Sequence, residues 1–154
     1  MTAPQRVAVL NGPNLNLLGE RQPEIYGHET LDDVRALCQR SADAAGLELD
    51  FRQTNHEGEL VDAIQQLRHS TVGLVVNAAA YTHSSVAIRD ALAVVTAPVI
   101  EVHITNVHRR ESFRHHSYLS DVADAVIVGC GTQGYALAIA RIAHLAAADA
   151  ARTA

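Results

Sequence analysis

Val72-Gly73-Leu74-Val75-Val76, closed by Asn77, is an unbroken apolar run of strand length, and after a polar turn it gives way to a helical pattern from about Ser84 to Val95 that ends before Pro98. The same unit recurs on either side. Val7 to Leu10, Leu47 to Phe51, Val99 to Val102 and Ala125 to Val128 are apolar runs of similar length. Between them, Thr30 and Asp33 form a capping pair that opens a helix with Leu31, Val34, Leu37 and Cys38 on one face, stopping at Gly46. A second helix carries Leu60, Ile64 and Leu67, and an alanine-rich one runs from near Thr132 towards Ala148. Five strand-helix units in alternation predict an α/β domain over residues 1–154, with a parallel sheet covered by helices on both faces. Only the connection from Asn11 to Glu29 is long enough to be a functional loop rather than a turn.

Composition narrows the chemistry. All twelve basic residues are arginine and lysine is absent, which excludes a lysine imine, covalent attachment of pyridoxal phosphate and the lysine of a GxxxxGK[ST] phosphate loop. A formal charge of -5 without a basic stripe argues against nucleic acid as the main partner. The mean hydropathy of +0.03 is spread evenly, with no run of about 20 apolar residues to span a membrane. Met1 to Arg6 is short and polar, so no secretory signal is expected and a cytoplasmic location is. Cys38 and Cys130 are too few for a disulfide framework and match no zinc spacing.

In an open doubly wound sheet, ligands sit beyond the carboxyl ends of the strands. The residues there are Asn11 and Asn14, then Gln53, Asn55 and His56, then Asn77, then His103, Thr105 and Asn106. Neutral amides and imidazole suit a hydroxylated or carbonyl substrate better than a bare metal ion. His103 stands two residues after Glu101, so alternation puts both side chains on one side of the strand. A carboxylate beside an imidazole fixes its tautomer and raises its basicity, as a proton donor near neutral pH requires. The alternative is a core histidine satisfied by its neighbours. Residues 19–27 are bracketed by glycines and predict a mobile lid. Within it, Arg21 is close enough in sequence to reach the Tyr26 hydroxyl and favour the phenolate, a potential base; the alternative is a surface tyrosine. Arg109, Arg110 and Arg114 are either a carboxylate clamp or a solvated basic run.

Other motifs carry less. Gly129-Cys130-Gly131-Thr132-Gln133-Gly134 spells GxGxxG but follows the last strand, with no second strand or strand-end acid to complete a dinucleotide site, and reads as a tight turn. His28, His69, His108, His115, His116 and His144 lack the spacing and accompanying acids of a ligand set. Ser84 and Ser85 have no G-x-S-x-G elbow, and Thr82 to Ser85 reads as a helix N-terminus.

Six segments together, residues 11–19 (NGPNLNLLG), 23–27 (PEIYG), 55–58 (NHEG), 77–83 (NAAAYTH), 101–106 (EVHITN) and 113–117 (FRHHS), closely resemble the type II 3-dehydroquinate dehydratases. The match runs from Val7 to about Ala143. Ala78 stands where many relatives have proline, and Thr105 where many have serine. The resemblance implies a flavodoxin-like sheet of strand order 2-1-3-4-5. It implies anti elimination of water from 3-dehydroquinate to 3-dehydroshikimate through an enolate, with no metal and no cofactor.

The resemblance also assigns roles. Tyr26, activated by Arg21, is similar to the base that takes the proton α to the ketone, and Asn14 to the residue holding a water against the enolate oxygen. His103, held by Glu101, resembles the acid that protonates the departing C1 hydroxyl. Asn77 is placed near that hydroxyl and the carboxylate, the amides of Ile104 and Thr105 at the carboxylate, and His83 and Arg114 at ring hydroxyls. Arg110 resembles an arginine near the closed lid. Asp90 in relatives reaches a neighbouring subunit's site within a homo-dodecamer built from trimers. Two other readings remain at this level: a flavodoxin-like module binding a nucleotide, flavin or partner, and a metal-dependent hydrolase using the histidines.

Overall fold

The computed structural model describes residues 3–154; Met1 and Thr2 of the polar Met1–Arg6 segment lie outside the described residues. The elements in chain order are β1 (Arg6–Asn11), α1 (Pro23–Tyr26), α2 (Leu31–Ala44), β2 (Glu48–Gln53), α3 (Glu57–Leu67), β3 (Gly73–Asn77), α4 (Val86–Leu92), β4 (Val99–His103), β5 (Ala125–Val128) and α5 (Gln133–Thr153). All strand pairs are parallel, in the order β2-β1-β3-β4-β5.

The unbroken apolar runs follow from burial on both faces. Val7, Val9, Val75, Ile100 and Val102 point to one side, where α2 (Val34, Cys38) and α5 (Ala138, Ile139, Ile142) cover them. Their neighbours Ala8, Leu10, Leu74, Val76 and Val99 point to the other, against α3 (Leu60, Ile64, Leu67) and α4 (Ile88, Leu92). Thr30 and Asp33 make a complete capping box at α2, and the Ser85 hydroxyl caps α4 by accepting from the Ile88 amide.

Several boundaries differ from the expected ones. β1, β2, β3 and β4 each run on to the polar residue closing the apolar run (Asn11, Gln53, Asn77 and His103), because the ladder bonds backbone groups and is indifferent to side-chain polarity. The third helix is shorter than Ser84–Val95, with residues 79–83 forming a 3₁₀ turn and Ala93 capping the C-terminus. The last helix extends to Thr153, its alanine-rich sequence containing no breaker. The Asn11–Glu29 connection holds a 3₁₀ turn, Leu15–Leu17, as well as α1. No described helix is long and apolar enough to cross a membrane.

Gly73 sets how closely α5 lies on the sheet. A Cβ there would stand 2.4 Å from Ile142 Cγ2 and 2.6 Å from its Cγ1. Gly73→Ala is therefore expected to destabilise the fold by about 1–3 kcal/mol through overpacking, and by less in an Ile142→Ala background, where both contacting carbons are gone. Denaturant titration of both variants measures this, and an unchanged midpoint for Gly73→Ala would contradict it.

Candidate active site

The register brings the strand-end residues together. Asn11 pairs with Asn77 across β1 and β3, and Val76 with Glu101 across β3 and β4, so Asn77 and His103 reach the same edge. β1 and β3 part there towards α-connections on opposite faces, which opens a crevice. Its cavity is lined by Asn14 after β1, Asn77 at the end of β3 with His83 beyond it, His103 at the end of β4 with Thr105 beyond it, and Tyr26 of α1. Arg21, Ile104, Arg110 and Arg114 line it too.

Glu101 and His103 are both buried, and His103 Nε2 lies 2.5 Å from Glu101 Oε2. Two hydroxyls converge on the same carboxylate. Ser117 Oγ already accepts from the amides of Leu119 and Ser120, so its proton goes to Glu101 Oε1 at 3.0 Å. Ser120 Oγ donates to the carboxylate as well, 3.0 Å from Oε1. With hydroxyl donors on both sides, Glu101 acts as acceptor towards the ring, which fixes the His103 proton on Nε2 and leaves Nδ1 for other chemistry. The His83 ring lies nearly parallel to that of His103, centroids 6.4 Å apart. Its Nδ1 is 2.8 Å from the His116 carbonyl, which can only accept, so Nδ1 carries the proton and Nε2 is left an acceptor. Burial, opposed in part by that bond, holds the His83 pKa below the ordinary 6.5.

The side of the cavity formed by residues 19–27 differs in detail from expectation. It is Arg110, from beyond β4, whose Nη1 donates to the Tyr26 oxygen at 2.7 Å. Arg21 instead sits by the Tyr26 ring, 5.7 Å from its centroid, and the Arg110 guanidinium is 5.1 Å from that centroid. Sequence nearness suggested Arg21 because it lies in the same loop; the fold brings Arg110 across 84 positions of sequence. The base of the 19–27 segment is pinched: a Cβ on Gly19 would lie 2.9 Å from the His28 carbonyl oxygen, and Glu29 accepts a 2.8 Å bond from the hydroxyl of Thr132, the residue before α5.

Asn14, at φ 68°, is held through its backbone N–H, which donates to Asn55 Oδ1 at 3.0 Å. Gln53 donates to the same oxygen, so these second-strand residues brace the loop rather than line the cavity. Ala79 also has a positive φ, 51°. Two left-handed non-glycine residues on one cavity wall mark a backbone shaped for the site at a local cost. Arg114 bonds to Glu111 at 2.7 Å, and backbone hydrogen bonding, with this guanidinium second, keeps the Glu111 carboxyl below its usual range. Asp90 is not brought to this cavity; it lies exposed on α4, 3.4 Å from Arg89. His115 turns away to the Arg110 carbonyl, and among the described residues no three His, Cys, Asp or Glu side chains are grouped to hold a metal ion. Gly129 and Gly131 both adopt positive φ in a tight strand-to-helix turn. Sequence reasoning missed Ser120 and Tyr135, which no motif singles out; Ser117 closes a quoted segment but was given no role.

The family described as Dehydroquinase class II matches residues 5–143 of this chain. The 3-dehydroquinate dehydratase of Methylobacterium radiotolerans is 63% identical over 141 residues, covering 92% of this chain and 95% of that protein. That of Streptomyces coelicolor is 60% identical over 147 residues, covering 95% of this chain and 94% of its own. Among solved structures, a type II dehydroquinase from Propionibacterium acnes superposes with a TM-score of 0.88 at 42% identity, over 94% of this chain and 99% of that one.

The depressed His83 pKa has a signed consequence. The unfolded chain takes up a proton near pH 6.5 that the folded chain refuses, so this histidine contributes a penalty that is absent above about 6.5 and grows as pH falls below it. His83→Gln is expected to lose less thermal stability than the parent between about pH 7.5 and about pH 5.5. Parallel melting curves decide it; equal losses would mean that His83 titrates alike in both states.

Proposed function

This chain belongs to the class II dehydroquinases, and from that membership we propose that it removes water from 3-dehydroquinate to give 3-dehydroshikimate by anti elimination through an enolate, without metal ion or imine. The observation that carries the reading is the meeting of Tyr26, from the lid, and His103, from the strand edge, in one cavity with Asn14 and Asn77.

The step balances as follows. The Tyr26 oxygen takes the proton α to the ketone, and the electron pair moves into the carbonyl to form the enolate. Arg110 supplies positive charge at the oxygen that does this work, and Arg21 adds a second guanidinium by the Tyr26 ring. Asn14 holds a water against the enolate oxygen, where hydrogen bonding strengthens as charge develops. The enolate then restores the ketone, the ring carbon–oxygen bond at C1 breaks, and His103, entering the step as an imidazolium with a second proton on Nδ1, delivers that proton so that the hydroxyl leaves as water and the ring returns to its Nε2–H form. Glu101, itself held by two serine hydroxyls, stabilises the imidazole through that transfer. Asn77 lies by the C1 hydroxyl and the carboxylate, the amides of Ile104 and Thr105 receive the carboxylate, and His83 and Arg114 take the ring hydroxyls. The bond fixed at His83 Nδ1 suits this role, since Nε2 then accepts from a hydroxyl. A lysine imine is unavailable to a sequence without lysine.

The cavity holds about 90 Å³, well under the roughly 300–1,000 Å³ of small-molecule sites. Residues 19–27 therefore act as a lid that moves aside for entry and shuts over the substrate. The exposed Asp90 completes a neighbouring copy's site in a dodecamer of trimers, a role consistent with its place away from its own chain's cavity.

Adding 3-dehydroquinate is expected to give the ultraviolet absorbance of a conjugated enone; no change would end this reading. Tyr26→Phe is expected to lower kcat by roughly 10²–10⁴-fold with little change in binding, and retained turnover would remove tyrosine as the base. Activity is expected to survive a strong chelator, and borohydride added with substrate. Loss in the first treatment would indicate a metal and loss in the second an imine.

A further inference from the structure

The glycine turn after β5 and the helix it opens take no part in the reaction as described, yet α5 carries Tyr135, completely buried, to within bonding distance of the site's Asn77. We propose that Tyr135 is a positioning residue whose hydroxyl sets the orientation of the Asn77 amide, through a buried relay running from Asn77 to Tyr135 to Asn11. The proposal rests on the reading above that Asn77 meets the substrate.

The relay has one possible direction. Asn77 Oδ1 accepts from the Ala79 amide at 3.2 Å, so turning this amide over would set N–H against N–H. Asn11 Nδ2 donates to the Arg52 carbonyl at 3.2 Å, so turning that one over would set oxygen against oxygen. Tyr135 is thus offered an N–H by Asn77, at 2.9 Å, and a carbonyl oxygen by Asn11, at 2.7 Å. A hydroxyl satisfies both by accepting from the first and donating to the second. Burial pushes the phenol pKa upwards, so the proton that points at Asn11 stays in place. Asn11, Asn77 and Tyr135 are all buried, which leaves little room for water as a substitute.

The GxGxxG-like motif gains a purpose from this. A Cβ on Gly134 would lie 3.3 Å from Val102 Cγ1 and 3.4 Å from Ile127 Cγ2, so its absence lets the first turn of α5 settle on β4 and β5. Tyr135 is the next residue and reaches under the sheet edge from there. Without its hydroxyl, the Asn77 amide keeps only the Ala79 bond and is free to rotate, and Ala79 is the residue at φ 51° on the cavity wall.

Tyr135→Phe, Asn77→Ala and their combination form the test, with kcat/KM for 3-dehydroquinate measured below the unfolding midpoint of each variant. Tyr135→Phe alone is expected to lower kcat/KM roughly ten-fold, and by less than about two-fold when Asn77 is already alanine. An equal loss in both backgrounds, as a general structural defect would give, overturns the relay, and so does no loss in the parent. If Tyr135→Phe does not fold, Asn11→Ala breaks the relay at its other end and is subject to the same pair of outcomes. Full activity of Asn77→Ala also overturns it, because the residue being positioned would be idle. An inactive parent chain is a different failure: it overturns the proposed function and the relay together.

Discussion

The parallel register of β1, β3 and β4 is the constraint on which the site depends. Because Asn11 sits opposite Asn77 and Val76 opposite Glu101, each strand delivers its last polar residue to a common edge. The ladder that does this is built from backbone bonds and locked by apolar side chains packed on two faces, since a slip of one residue would turn each strand's inward set to the other side. Reacting groups placed this way are carried by the most buried part of the molecule and need little ordering of their own.

That placement requires polar side chains to be buried, and the structure meets the cost by pairing them. The Glu101 carboxylate receives Ser117, Ser120 and His103; the amides of Asn77 and Asn11 receive Tyr135 between them. In each group the donor and acceptor count leaves a single consistent arrangement of protons. The site edge is rigid for that reason. His103 and Asn77 are presented in fixed orientations before any substrate arrives.

The other half of the cavity wall is of a different kind. Tyr26 comes from a four-residue helix in a long connection, joined to the rest by an arginine bond and a pinched neck at Gly19. Residues 23–26 have no buried side chain, and such a segment belongs to the part of a fold that opens most easily. The proposed acid, His103, thus stands on a well-braced edge and the proposed base, Tyr26, on a segment held by few contacts, which suits the elimination proposed for this chain.

Much of this was legible in the linear chain. Five apolar runs, a capping pair, a stop before Pro98 and the even spacing of the units determined a parallel sheet with helices on both sides, because hydrophobic period and cap chemistry act over a few residues. The spacing of Glu101 and His103 determined their pairing, since side chains two apart on a strand share a face. The absence of lysine determined which chemistry was closed to it. Tertiary structure alone decided that Arg110 rather than Arg21 bonds to the Tyr26 oxygen, that Ser120 supports Glu101, that Gln53 and Asn55 brace a loop, and that Tyr135 bridges two asparagines. These are contacts between residues from 19 to 124 positions apart, apart from the Gln53–Asn55 bond itself. No local pattern encodes them, because they exist only once packing has carried distant segments to the same edge.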